Sequence, residues 1–175
     1  MELIIRNARL MDGSQVAIGI DSGNIVAIEP TLAATAETID AAGGLVIPAF
    51  VNGQLHACKS FWRRRLQEQP DAVQHLPRFQ AASYVKAAYS EEDVFERVDE
   101  TMRLAIQNGT CAIRLFGDVD EANGLTALKA LLRIRQKYSP WMTVQVVAFP
   151  QDGVAGDDVL PGAGKGGYVQ GAGEV

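Results

Sequence analysis

Residues 45–61 read LVIPAFVNGQLHACKSF, an apolar run interrupted by Pro48 that ends just past one of the two histidines of the chain. Proline has no N–H to give to a β-ladder, so Pro48 closes the sheet before it and marks the crossing into a second unit. Residues 49–55 then predict a short apolar strand, with His56, Cys58 and Lys59 directly beyond it. The domain division expected is 1–48, 49–155 and a tail of 156–175.

Upstream of this stretch, residues 3–5, 16–20 and 25–28 are short β-type runs separated by MDGS and DSGN. Gly and Asn tolerate the positive φ that tight turns need, so three strands in so short a span predict hairpins. Residues 38–40 add a further strand after LAATAET.

Downstream the periodicity changes. Residues 62–88 predict a mixture of loop and helix. Ser90, with Asp93 three residues on, opens a helix in the manner of a capping box, although Glu is the commoner partner. Val94, Phe95, Val98, Met102, Ala105 and Ile106 recur at helical spacing, and Asn108-Gly109 supplies the left-handed stop. Residues 111–115 predict a strand, 124–138 a second amphipathic helix through Leu125, Leu128, Leu131, Leu132 and Ile134, and 142–149 a β-branched strand. Apolar strands alternating with amphipathic helices predict an α/β fold with a parallel sheet buried on both faces and right-handed crossovers.

Composition narrows the function. The chain has 175 residues, 47% of them hydrophobic, which makes a globular protein. With 21 acidic against 16 basic residues and a net charge of −5, it lacks the basic excess of a nucleic-acid surface, so no nucleic acid and a small-molecule partner are expected. Two cysteines, Cys58 and Cys111, make neither a disulfide framework nor a metal knuckle, which fits a reducing cytoplasm. No run approaches a membrane span, so no membrane partner is expected. The tail, with six glycines from Gly162 to Gly173, predicts a flexible segment. Its GAGKGG is no phosphate loop, because Val159 stands where the first Gly belongs and Gly166 where Ser or Thr belongs.

Several segments together carry a resemblance. IIRNARL..DG near the start, LVIPAFV, KSF after His56, Arg114 followed by Asp118-Val119-Asp120, TALKALL at 126–132 and VQVVAFPQDG at 144–153 resemble, in order and spacing, the N-terminal part of the amidohydrolase superfamily. Within it they are similar to the cytosine deaminase and N-isopropylammelide amidohydrolase branch. The resemblance implies a (β/α) barrel of TIM type, here partial, with a small β-sandwich part at the N-terminus. It implies Zn or Fe as cofactor, and hydrolytic deamination of an amino-substituted pyrimidine or triazine ring, a small cyclic amine or amidine.

In such enzymes an HxH pair, followed two residues later by Asp, supplies two imidazoles at the end of the first barrel strand. Residues i and i+2 of a strand point the same way, so both ring nitrogens reach one ion, which lowers the pKa of a bound water. Here Gln54 stands at the first ligand position, His56 at the second and Cys58 at the Asp, while Phe116 stands at a further histidine position. A glutamine carbonyl is a poor zinc ligand. Gln151 and Lys59 correspond to substrate-binding positions of the family. No histidine follows His75, and Asp152, Asp157 and Asp158 lie in the wrong region to be carried over as ligands.

Other readings of the same residues stay open. His56 alone is a structural histidine or a ligand, and His75 is solvated. Cys58 beside Lys59 is a reactive thiol or an inert buried one. Residues 63–65, three arginines beside Trp62, form a solvated patch or gate an anionic substrate. Asp118 and Asp120 are an acid/base pair or cap a loop and make ion pairs. The expectation is an amidohydrolase-like protein, cut short or shifted in frame where the Gly-rich tail begins and inactive as written. The alternative is a non-catalytic module that associates with itself, a homo-oligomer, or with a partner.

Overall fold

Alternating side chains build the first sheet. In the computed structural model, which describes residues 1–33, 37–119 and 123–150, strands β1 (Leu3–Arg9), β2 (Gln15–Asp21), β3 (Asn24–Glu29) and β4 (Glu37–Asp40) form one sheet in the order β3-β2-β1-β4. β1, β2 and β3 pair antiparallel, as hairpins require, whereas β4 returns parallel to β1. Ser22 (φ 49°) and Gly23 (φ 74°) make the two-residue turn between β2 and β3, where both central residues must take positive φ. Ala8, Val16 and Ile18 form the core of this unit, with Ile5, Leu10, Ile20, Ala41 and Val46 against it. The chain divides into Met1–Pro48, which is this unit, and a second unit from Ala49 onward.

The second unit holds β5 (Phe50–Leu55), β6 (Thr110–Asp118) and β7 (Thr143–Phe149), all parallel, in the order β5-β6-β7. Between β5 and β6 run a 3-10 turn (Ala57–Lys59) and helices α1 (Trp62–Gln67), α2 (Asp71–Gln74), α3 (Arg78–Ala87) and α4 (Glu91–Gln107); α5 (Thr126–Tyr138) joins β6 to β7. Ser90 Oγ accepts the Asp93 N–H and three acids occupy the first turn of α4, favourable at the positive end of the helix dipole. Gly109, at φ 81°, ends it.

Both long helices lie on one face of the sheet. Val94, Val98 and Met102 of α4 and Ala127, Ala130, Leu131 and Ile134 of α5 enclose a core with Ile113, Leu115 and Val144. Burying a side chain such as Leu131 contributes about 2 kcal/mol. The leucine spacing misplaces the inward face of α5: Leu125 and Leu132 are exposed, and the stripe that packs is built on Ala127 and Ala130. Alanine is favoured there because the helix rides close to β6, so close that a Cβ on Gly117 would stand 2.9 Å from Leu131 Cδ1. Ile106, placed by periodicity on the buried side of α4, is exposed in its last turn.

The expected burial of both sheet faces is not found among the described residues. β6 alternates: Ile113, Leu115 and Gly117 face the helices, while Arg114 projects from the opposite face and donates through Nε to Gln145 Oε1 at 2.9 Å. On β5 Val51 is 71% exposed. The Gly-rich tail, Gln151, Asp120, Asp152, Asp157 and Asp158 lie outside the described residues.

Candidate functional site

The C-terminal ends of the three parallel strands gather the polar and aromatic groups. A register shift between Asn52 and Leu55, with the Gln54 N–H donated to Asn52 Oδ1, re-aims the end of β5 so that Leu55 pairs with Leu115. Leu55 then packs on the helix side and His56 falls on the other, its ring 5.4 Å from Phe116 in a stacked arrangement and 4.9 Å, edge-on, from Phe149.

Asp118, the last residue of β6, lies beneath them with its side chain 1% exposed. Its Oδ2 stands 3.1 Å from Lys59 Nζ and 3.3 Å from Lys86 Nζ, charge pairs that fall short of hydrogen-bond geometry. Its Oδ1 stands 3.8 Å from His56 Nδ1. Asp118 thus makes ion pairs, one of the two roles left open for it.

Burial, and after it the Lys59 charge, pull the His56 pKa below its ordinary value and outweigh the opposing pull of Asp118. The ring is therefore neutral near pH 7. Burial, with the Asp118 charge behind it, pushes the Cys58 thiol up to about 11. Cys58 is fully buried with Sγ against the Phe116 carbonyl, so it is the inert thiol of the two alternatives.

The turn that carries these side chains is held from α4. Arg97 Nη1 donates to the carbonyls of Cys58 and Ser60, each at 2.7 Å, while Nε and Nη2 bond Asp93 and the guanidinium lies over the Tyr89 ring at 4.4 Å. Arg64 and Arg65, read as a basic patch, are matched by acids: Arg64 by Glu100, Arg65 by Asp93 and Glu68. Arg63 is exposed.

Of the residues singled out in the sequence, the structure brings together His56, Lys59, Phe116 and Asp118. Gln54 is exposed on β5 and joins no ion pair, and His75 is exposed at the end of α2. Lys86 was missed. Its sequence signal is slight, a single lysine in the otherwise small and apolar run YVKAA near the end of α3, and its side chain is 8% exposed.

The metal that the resemblance implies does not fit these residues. Among the described residues no three His, Cys, Asp or Glu side chains gather closely enough to hold an ion. The donors at hand are one imidazole, a protonated buried thiol and a carboxylate already faced by two ammonium groups. Zinc sites use three or four protein ligands, and the lysines would repel a cation.

Fold and sequence define a class: the chain is amidohydrolase-like, matching the N-terminal part of such proteins. Over 165 residues, 87% of its length, it is 32% identical to the N-isopropylammelide isopropyl amidohydrolase of Pseudomonas sp. (strain ADP). The crystal structure of N-isopropylammelide isopropylaminohydrolase from Burkholderia multivorans ATCC 17616 matches 88% of the chain with a TM-score of 0.72 and 30% identity. That of 5-methylcytosine deaminase from Klebsiella pneumoniae, liganded with phosphonocytosine, matches 86% with a TM-score of 0.68 and 29% identity. The chain spans 39% of the length of the first two and 37% of the third. No family model matches. No described helix is long and apolar enough to cross a membrane.

Proposed function

We propose that the chain descends from a hydrolytic deaminase acting on an amino-substituted pyrimidine or triazine ring and that its metal centre has been lost. In this reading residues 49–155 are the first strand-helix units of a (β/α) barrel, and residues 1–48 part of the small β-sandwich that accompanies it. Lys59 and Gln151 are the remains of its substrate-binding side. The observation that carries the reading is Asp118: the carboxylate nearest His56 faces the ammonium groups of Lys59 and Lys86 instead of a metal ion's ligand set. The protein is then inactive as a deaminase and binds no stoichiometric Zn or Fe. Elemental analysis after purification in added metal, run beside an ammonia-release assay with cytosine and ammelide-type rings, tests this. About one metal per chain, lost in His56→Ala, or measurable turnover, overturns it.

A second reading, a self-associating module, is favoured by the sheet of the second unit. β5 and β7 each pair only with β6, so both outer edges offer unpaired backbone among the described residues, and Val51 and Phe50 are exposed at one of them. Light scattering should give a dimer or larger, and a stable monomer contradicts it.

A further inference from the structure

His56 Nδ1 and Asp118 Oδ1 face each other, both buried, and neither makes a hydrogen bond in the structure. The two oxygens of Asp118 are divided: Oδ2 toward the lysines, Oδ1 toward the imidazole. Phe116 stacks on one face of the imidazole and Phe149 meets it edge-on, contacts that favour the ring orientation observed. The 3.8 Å gap is about 1 Å longer than a direct N–H···O bond, so the two groups are neighbours that a small movement of either side chain would bring into contact. With Nδ1 facing Asp118, Nε2 is the remaining nitrogen of a side chain that is 28% exposed.

The geometry points to a metal-independent imidazole–carboxylate dyad, in which Asp118 holds His56 as the Nδ1–H tautomer and Nε2 is the nucleophile toward small activated acyl compounds such as aryl esters. The lone pair of Nε2 attacks the ester carbonyl carbon, the new C–N bond forms, and the aryl oxide leaves with the electron pair of the broken C–O bond. The acyl-imidazolium carries its positive charge beside the Asp118 carboxylate, which stabilises it. Water then adds to the acyl carbon, the C–N bond breaks with its electron pair returning to Nε2, and the products are a carboxylate, two protons released to solvent and the original neutral imidazole. Cys58 does not compete, because its buried thiol stays protonated. His56 is the catalytic residue and Asp118 a positioning residue. The dyad stands independently of any deaminase descent.

The test uses the full 175-residue chain with p-nitrophenyl acetate in excess chelator. Release of p-nitrophenolate with a transient acetyl group on His56, seen by mass spectrometry, is expected, together with a fall of at least about tenfold in His56→Gln and in Asp118→Asn. His75→Gln and the chelator should change nothing. Nitrogen-15 NMR of the unaltered chain supplies a readout that does not depend on how the variants fold: the neutral ring should carry its proton on Nδ1. A rate unchanged in His56→Gln, a rate abolished by chelator, or a proton on Nε2 overturns the dyad.

Discussion

Replacing Asp118 with Asn is the most informative single change in the molecule. It keeps the shape of the side chain and removes the negative charge that stands 3.1 Å from Lys59 Nζ and 3.3 Å from Lys86 Nζ. Lys59 is 30% exposed and can turn toward water, so its share is at most about 1 kcal/mol. Lys86 is 8% exposed, and taking the carboxylate from a buried ammonium costs about 3–5 kcal/mol. At a urea dependence of about 2 kcal/mol per molar, a loss of about 4 kcal/mol lowers the unfolding midpoint by about 2 M. The second arm is Lys86→Met in the Asn background, which takes away the buried ammonium that faced the carboxylate and should recover part of the loss, giving a coupling of about 1–3 kcal/mol in the cycle. Urea unfolding followed by circular dichroism measures all four proteins. A cost below about 1 kcal/mol for Asp118→Asn, or two effects that simply add, refutes the buried charge pair.

Gly117→Ala should destabilise by about 1–3 kcal/mol, since the added Cβ would meet Leu131 Cδ1 at 2.9 Å and the backbone Cα of Leu128 at 3.4 Å; thermal unfolding measures it, and a stabilised variant contradicts the close approach. With iodoacetamide at about pH 8, exposed Cys111 should alkylate while Cys58, its thiol pushed up to about 11, stays unmodified until the chain unfolds; mass spectrometry of the labelled peptides decides. Because the folded state lowers the His56 pKa, the unfolded chain takes up this proton first on acidification. Its contribution to stability is therefore present above about pH 6.5 and is lost as the pH falls toward the lower folded value, so the urea midpoint should fall more on acidification in the native chain than in His56→Gln. Gln54→His with Phe116→His should gain modest zinc affinity that weakens on acidification, without ammonia release from ring substrates, as a zinc titration and an ammonia assay will show.

Local signals predicted the local structure well. Ser90, Asp93 and Gly109 delimited α4 because caps and stops act over a few residues, and the run 142–149 read as a strand through its β-branched side chains. Where two signals compete, the sequence is harder to read. Leucines outweigh alanines on any hydrophobic scale, yet the inward stripe of α5 needs Ala127 and Ala130 because the sheet is near. β6 was expected to end at Leu115, but it pairs with β7 as far as Asp118. That extension turns Asp118 from a loop residue into a buried one. Its partner Lys86 comes from α3 and meets it only through the tertiary fold, which no spacing rule encodes.

The Arg97 clamp has a consequence for how the turn tolerates change. Its guanidinium grips the main-chain oxygens of Cys58 and Ser60, groups that every amino acid possesses. Side chains at 58 and 60 can therefore be exchanged without releasing the loop, so long as the newcomer fits its space. A thiol and a carboxylate at position 58 would leave the same two carbonyls for the guanidinium to hold. A path along the backbone thus lets a site drift in its chemistry while its scaffold stays put.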